Sequence, residues 1–133
     1  MTPAVVDTDV VSFLFKSDAR AQDYLSFLPG RQLLISFMTE AELEQWVLLA
    51  RWGPERVTRF RSFMNRFPSV PSSRDLILKW AEVMVAARAS GRRIEAADAW
   101  IAATAILYDA PLVTHNPTDY SGVPNLTILS RRS

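Results

Sequence analysis

Acidic side chains recur just after the short apolar runs of this sequence. Three such runs, at residues 4–6, 33–35 and 112–113, are each followed within a few positions by acids, namely Asp7 and Asp9, Glu40 and Glu42, and Asp119. A further acid, Asp98, stands at the start of a helical segment. Carboxylates that gather at one place repel one another, and a hard divalent cation with oxygen ligands is the usual relief. Several acids around a metal suggest phosphodiester hydrolysis.

The residue types indicate which cation to expect. Magnesium favours one or two carboxylates together with waters and substrate phosphate oxygens, and manganese can replace it. The sequence has no cysteine and one histidine, so it offers no thiolate zinc site and no conventional zinc cluster. It also has no glycine-rich phosphate-binding loop. We therefore expect Mg²⁺, with Mn²⁺ as a substitute, rather than zinc or a nucleotide.

Each acid also has a purely structural explanation as a helix cap. Residues 39–42 (TEAE) match a capping box, and residues 116–119 (NPTD) resemble a helix start with proline at its first position. Asp98 and Asp7 could cap the segments that follow them. Capping does not predict, however, that acids recur at the ends of several elements that the fold brings to one edge of the sheet. On the residues alone both interpretations stay open.

The elements that must position these acids alternate along the chain. Buried strands are predicted at residues 4–6, 33–35, 112–113 and 126–129, with a brief fifth strand near Val70. Helices are predicted at residues 39–50, 54–66, 72–89 and 97–108. Strands separated by helices imply a mostly parallel sheet covered on both faces, which is a three-layer α/β/α fold. Sites in such folds lie beyond the carboxyl ends of the strands.

Bulk composition bounds the remaining possibilities. The 133 residues, of which 49% are hydrophobic and 22% charged, suit one domain that spans residues 1–133. Acids near the amino terminus argue against a signal peptide, so export is not expected. Asp98 and Asp109 interrupt the most apolar stretch, residues 96–113, so no membrane span is expected. The absence of cysteine fits a reducing compartment. We expect a cytoplasmic protein.

The order of three sequence blocks resembles a known family. The blocks are VVDTDVVSFL, ISFMTEAELEQW and GRRIEAADAWIAATAILYDAPLVTHNPTDYSGVPNL. Together they resemble the PIN-domain ribonucleases, specifically the VapC-type toxins of bacterial type II toxin–antitoxin pairs, over residues 4–129. The resemblance implies a parallel sheet of about five strands, Mg²⁺ or Mn²⁺ at the acids, and RNA as substrate. It also implies a homodimer and a small antitoxin protein as partner.

The family pattern carries over to particular residues of this chain. Its acidic positions fall on Asp7, Glu42, Asp98 and Asp119, which would be both catalytic and metal-binding. Thr114 and Asn116 match polar positions that support the site. Two departures occur: Asp9 stands where relatives often have Asn and is expected to be a solvated bystander, and two alanines, at 96 and 97, precede Asp98 in place of a more polar lead.

Other conspicuous residues are expected to be structural. His115 could act as a general base near neutral pH, but we expect a residue at a strand end with its ring in solvent. Five arginines fall in one short region: Arg51, Arg56, Arg59, Arg61 and Arg66. Most of them alternate with the apolar positions of the helix predicted at residues 54–66, and they are expected to form a solvated face rather than an RNA track. The four tryptophans, Trp46, Trp52, Trp80 and Trp100, are expected in the core or a dimer contact. The apolar faces that carry Trp46 and Phe60 are expected to contact the antitoxin.

Two other functions compete with the nuclease. Asp-x-Asp after a strand also begins phosphatase sites with an aspartate nucleophile, but these need a lysine after a later strand, and Lys16 and Lys79 are not so placed. An inactive, PIN-like binding protein is the second alternative. The presence of all four family acids argues against it.

Overall fold

The computed structural model describes residues 2–132. A parallel sheet of five strands forms the central layer of the fold. The strands are β1 (Thr2–Val6), β2 (Arg31–Ser36), β3 (Ser69–Val70), β4 (Leu112–Val113) and β5 (Ile128–Leu129). The helices are α1 (Thr8–Lys16), α2 (Ala21–Tyr24), α3 (Phe37–Ala50), α4 (Pro54–Met64), α5 (Arg74–Ala89) and α6 (Ala96–Leu107). Two short 3₁₀ helices span Leu25–Phe27 and Pro117–Tyr120.

The strand order is β3-β2-β1-β4-β5, and every neighbouring pair is parallel. The chain winds outward from β1 in one direction through β2 and β3, and in the other through β4 and β5. The carboxyl ends of β1, β2 and β4 therefore lie side by side at one edge. The predicted fold class is confirmed, although β5 is shorter than the stretch 126–129 predicted for it.

Alternate residues of β1 face two separate cores. Val5 packs with α5 and α6 in one core. Ala4 and Val6 pack with α1, α3 and α4 in the other. A strand that is apolar on both faces needs helices on both sides, and this arrangement gives the three α/β/α layers.

The tryptophans pack at the margins of these cores, as the sequence predicts. Trp80 stacks on Trp100 with ring centroids 5.0 Å apart, and Trp46 and Trp52 pack on Phe60. Phe60 itself is 1% exposed. The prediction that Phe60 lies on a surface open to a partner is therefore wrong, because its ring fills the core beneath α4.

A close backbone contact fixes the loop after β4. A Cβ added to Gly122 would lie 2.1 Å from the carbonyl oxygen of Arg92, so only glycine fits there. The contact holds the segment that carries Asp119 and Tyr120 against the loop that leads into α6.

No helix within residues 2–132 is long and apolar enough to cross a membrane.

Candidate active site

Five carboxylates from four separate parts of the chain line one cavity of about 380 Å³ at the carboxyl edge of the sheet. They are Asp7 at the end of β1, Asp9 in α1, Glu42 in α3, Asp98 in α6 and Asp119 in the 3₁₀ helix after β4. The structure therefore brings together all four acids that the family pattern singles out, and we call this space the acidic cavity. Glu40, the other acid that follows β2, is exposed and lines a different cavity.

Asp7 is held from several directions at the end of β1. Its Oδ1 accepts a hydrogen bond from the backbone N–H of Thr8 at 2.7 Å, and its Oδ2 accepts from the hydroxyls of Thr114 at 2.7 Å and Tyr120 at 2.9 Å. It is 7% exposed. Burial raises the pKa of Asp7, an effect that these hydrogen bonds oppose and the charge of Asp119 reinforces. Asp7 is thus both the cap of α1 and part of the acidic cavity.

Glu42 projects from the second turn of α3. The helix begins at Phe37, and the hydroxyl of Ser36 accepts the capping hydrogen bond from Met38 N–H at 3.0 Å. The capping-box interpretation of residues 39–42 is therefore wrong, and Glu42 is free of that task. Its Oε1 accepts a hydrogen bond from the Thr8 hydroxyl at 2.7 Å. Burial, with a contribution from Asp7, raises the pKa of Glu42 against that bond.

Asp98 is not a helix cap either. Helix α6 begins at Ala96 with Glu95 at the capping position, so Asp98 is its third residue. No hydrogen bond to its carboxylate occurs among the described residues. Burial, followed by the charges of Asp7 and Asp119, raises the pKa of Asp98 to about 7. The alanines before Asp98 leave α6 without a side-chain cap bond, and they do not displace Asp98 from the acidic cavity.

Asp119 lies at the exposed rim of the acidic cavity. Asn116 occupies the capping position of its 3₁₀ helix and Pro117 the first helical position, as the sequence predicts, but the Asn116 side chain makes no cap bond. Instead, Asn116 Nδ2 donates to Asp9 Oδ2 at 2.8 Å. The side chain of Asn116 therefore links this segment to α1.

Asp9 is not a solvated bystander, so that expectation is wrong. Its Oδ1 accepts from Val10 N–H at 2.7 Å, and its Oδ2 accepts from Asn116 and from the backbone N–H of His115 at 3.1 Å. Burial, reinforced by the charge of Asp7, raises the pKa of Asp9 to about 7. Asp9 joins α1 to the end of β4 and adds a fifth carboxylate to the acidic cavity.

The ring of His115 points away from the acids. It lies edge-on to Phe13 with ring centroids 5.2 Å apart, and its Nδ1 is 2.6 Å from the hydroxyl of Tyr24. Burial lowers the pKa of His115. The ring is partly buried among aromatic side chains rather than in solvent, and it does not line the acidic cavity. Its position argues against a general-base role at the acids.

Sequence reasoning missed two hydroxyls that organise the site. Thr8 contacts Glu42, and Tyr120 contacts Asp7. Thr8 stands between two acids and Tyr120 directly follows one, so adjacency to the acids was the available signal. Thr114, which was predicted to support the site, donates to Asp7 and accepts from Asn116 N–H at 3.1 Å.

The donor set suits a cation that needs few protein ligands. Within residues 2–132 no three acidic, His or Cys side chains already form a group that could hold a metal ion. Magnesium commonly takes one or two carboxylates and completes its octahedron with waters and substrate phosphate. Oxygen ligands without nitrogen or sulfur, in a cavity whose acids repel one another, fit that cation.

Comparison with known proteins identifies the family. The model of the PIN domain matches residues 4–124. Ribonuclease VapC1 of Haemophilus influenzae (strain R2866) is 26% identical over 127 residues, which are 92% of this chain and 92% of that protein. The crystal structure of VapBC2 from Rickettsia felis bound to a DNA fragment from their promoter matches with a TM-score of 0.85 at 22% identity, over 97% of this chain and 98% of that chain. A toxin-antitoxin complex from Klebsiella pneumoniae matches with a TM-score of 0.76 at 25% identity, over 95% of each chain. With the family model covering most of its length and the acids gathered at the edge of the same fold, the chain belongs to the PIN domain family.

Proposed function

We propose that this protein is a Mg²⁺-dependent endoribonuclease that hydrolyses RNA phosphodiester bonds and acts as the toxin of a toxin–antitoxin pair. The observation that carries the proposal is the convergence of Asp7, Glu42, Asp98 and Asp119 on one cavity. The similarity to Ribonuclease VapC1 and to a toxin-antitoxin complex supports the activity and the biological role.

The repulsion within the acidic cavity supports the metal requirement. The pKa values of Asp9 and Asp98 are both raised to about 7, by burial first and then by neighbouring carboxylates. Ionised carboxylates so placed are destabilising unless a cation joins them. A bound Mg²⁺, or Mn²⁺ in its place, would offset the charge that develops on the phosphate and make water a better nucleophile.

The carboxylates divide into two groups by what surrounds them. Asp7, with three hydrogen-bond donors, and Glu42, with one, are fixed in direction and would serve as the oriented ligands. Asp98 and Asp119 accept no side-chain hydrogen bond from residues 2–132 and are free to turn toward a cation or an attacking water. This division favours a site preorganised on one side and adaptable on the other.

The geometry disfavours the two alternative functions. A phosphatase with an aspartate nucleophile needs a lysine that follows a later strand, whereas the one lysine that lines the acidic cavity among the described residues is Lys16 in α1. An inactive binding protein has no need for five acids that destabilise one another. The nuclease is the function that explains why these acids are placed together.

The partners follow from the same proposal. RNA is the substrate, and a small antitoxin protein is the inhibitor of the toxin. A homodimer stays a prediction. The exposed side chains of Leu48 and Leu49 at the end of α3, at 79% and 74%, offer apolar area that a second protein chain would cover.

The test is RNA cleavage by the purified protein. Labelled total RNA should be cut when Mg²⁺ or Mn²⁺ is present, and cutting should stop with excess chelator and return when either metal is restored. Mapping the cut ends would show which bonds are chosen. Cleavage that continues undiminished in chelator would reject the metal requirement.

A further inference from the structure

A second cavity, of about 500 Å³, opens between the end of α1 and helix α4. Its charged lining consists of Lys16, Arg56, Arg59 and Arg66, and its remaining lining residues are Leu14, Phe15, Ser17 and Phe63. No acidic residue of the described chain lines it. We call this cavity the basic cleft. Four cations without an acid are notable in a chain whose formal net charge is +1.

The arginines of the basic cleft form no salt bridge within residues 2–132. Of the five arginines between positions 51 and 66, only Arg61 has a salt bridge within residues 2–132, and its partner is Glu44. Arg61 lies outside the basic cleft. The guanidinium of Arg56 lies over the Trp52 ring, 4.5 Å from its centroid. Arg59 and Arg66 are exposed and form no salt bridge or side-chain hydrogen bond within residues 2–132. Donors with no protein partner are available to a ligand that brings negative oxygens.

The basic cleft lies next to the acidic cavity, with Lys16 between them. Lys16 lines both spaces, and its Nζ lies 5.6 Å from the centroid of the Trp46 ring, which also faces the acids. A chain of phosphates with one phosphate at the carboxylates would therefore pass Lys16 and enter the basic cleft. The ring of Phe63, partly exposed beside Arg66, adds a surface on which a base can stack.

The opposite exit from the acidic cavity is less suitable for a polyanion. The cavity on that side, which shares Asp98 and Asp119 with the acidic cavity, contains Arg88 and Arg93 but also Glu95. With the two shared aspartates, its lining carries three acids against two arginines. The difference in charge gives a strand one preferred direction from the acids.

We propose that the basic cleft binds the phosphates of single-stranded RNA on one side of the bond held in the acidic cavity. The inference rests on the proposed function, since it takes the cut bond to lie at the carboxylates. It reverses the expectation that these arginines form only a solvated face. Single-stranded nucleic acid is the favoured ligand because the basic cleft combines phosphate-binding cations with an aromatic side chain and leads directly to the acids.

The test is RNA binding by a double variant, Arg59→Gln/Arg66→Gln. Both residues are exposed, so the changes should leave the fold intact, which a melting curve would check. The matched control is Arg51→Gln/Arg61→Gln, which removes the same charge from exposed sites outside the basic cleft. Binding of a labelled single-stranded RNA oligonucleotide is measured by fluorescence anisotropy in chelator, where cleavage cannot consume the probe.

The basic cleft predicts different salt dependence for the two variants. Loss of two phosphate contacts should raise Kd roughly tenfold at about 0.1 M salt and make the slope of log K against log salt shallower by about 1.4. The control should change Kd less than threefold, by roughly the effect of net charge alone, with the slope unchanged. A cleft variant that binds RNA as the control does would overturn the proposal, as would no measurable binding by the unaltered protein.

Two further outcomes distinguish failure of the proposed nuclease function from failure of the proposed RNA binding in the basic cleft. If the unaltered protein binds RNA in the basic cleft but cuts none in Mg²⁺, the proposed function fails while the cleft assignment stands. If RNA binding is unchanged in the cleft variant but binding of a polyglutamate peptide is weakened, the basic cleft belongs to an acidic protein segment and the RNA proposal is rejected.

Discussion

Tyr120 donates its hydroxyl hydrogen to Oδ2 of Asp7 at 2.9 Å, across 113 positions of sequence. The tyrosine is 2% exposed, so the bond joins two buried groups. Burial raises the pKa of Tyr120, and the charge of Asp7 adds to this effect, which keeps the phenol protonated and able to donate. The 3₁₀ helix that carries Asp119 is thereby tied to the central strand.

Replacement of Tyr120 by phenylalanine tests this connection. Tyr120→Phe keeps the ring but leaves Asp7 with one donor fewer, and a hydrogen bond to a charged group contributes roughly 1.5–3 kcal/mol. We expect a lower melting temperature and slower RNA cleavage, because Asp7 is then less firmly oriented. Tyr108→Phe is the matched control, since that side chain is 44% exposed and distant from the acids. Equal cleavage rates in both variants would contradict an orienting role for Tyr120.

A second substitution separates catalytic acids from helix caps. Asp98→Asn keeps the size of the side chain and removes the charge that would hold a cation. We expect RNA cleavage to fall by at least about a hundredfold, which is the scale seen when one group that stabilises transition-state charge is removed. Asp75→Asn, at an exposed position in the first turn of α5, should leave cleavage unchanged. Cleavage rate and melting temperature are measured for both proteins.

Asp98→Asn should also stabilise the protein when no metal is present. At pH about 8 the Asp98 carboxylate is ionised among other acids, and the amide removes that repulsion. We therefore expect a higher melting temperature for Asp98→Asn than for the unaltered protein in chelator, together with loss of activity. A lower melting temperature would indicate that Asp98 is structural.

The role of Asp9 gives a fourth prediction. Asp9→Asn retains an oxygen that can accept from Asn116 or from the backbone of His115, whereas Asp9→Ala leaves both donors without their partner. We expect the asparagine variant to fold and cut RNA within a few-fold of the normal rate. The alanine variant should lose about 1–3 kcal/mol of stability. Comparable melting temperatures in the two variants would contradict the conclusion that the hydrogen bonds of Asp9 stabilise the contact between α1 and the end of β4.

Much of the site could be predicted because it depends on topology. Each acid follows a strand or begins a helix, and a parallel sheet brings those ends to one edge, so Asp7, Glu42 and Asp98 could be grouped without coordinates. The sequence around each acid does not show whether the acid is a helix cap or part of the acidic cavity. Ser36 and Thr39 are both good caps, and only the packing of Phe37 and Met38 against the core shows that α3 starts at the earlier one.

The contacts that sequence missed are those made between distant segments. The sequence predicts a solvated Asp9 because nothing near this residue in sequence shows that Asn116 and the His115 backbone face it. The sequence likewise predicts a solvated His115 ring, because its neighbours Phe13 and Tyr24 lie about a hundred positions earlier in the chain. The Tyr24–His115 hydrogen bond spans 91 positions. Side-chain environments of this kind depend on tertiary packing, which local patterns do not specify.

The raised pKa values of Asp9 and Asp98, both about 7, predict how metal binding depends on pH. In the unfolded chain these groups ionise near their ordinary pKa of 3.8. Between pH 4 and 7 the folded protein therefore holds more protons than the unfolded chain, and its stability falls as pH rises through about 7. A cation competes with those protons and relieves the repulsion that replaces them. Adding Mg²⁺ should raise the melting temperature more at pH about 8 than at pH about 5.5.

Thermal unfolding with and without Mg²⁺ at the two pH values measures this dependence. Asp98→Asn is the informative comparison, because it removes one of the two titrating carboxyls and should shrink both the pH dependence and the gain from Mg²⁺. Asp75→Asn should behave as the unaltered protein does, since Asp75 lies outside the acidic cavity. A Mg²⁺-induced shift of the same size at both pH values would show that the cation binds without displacing protons. That result would place the cation away from Asp9 and Asp98, and would remove the electrostatic argument for a metal in the acidic cavity.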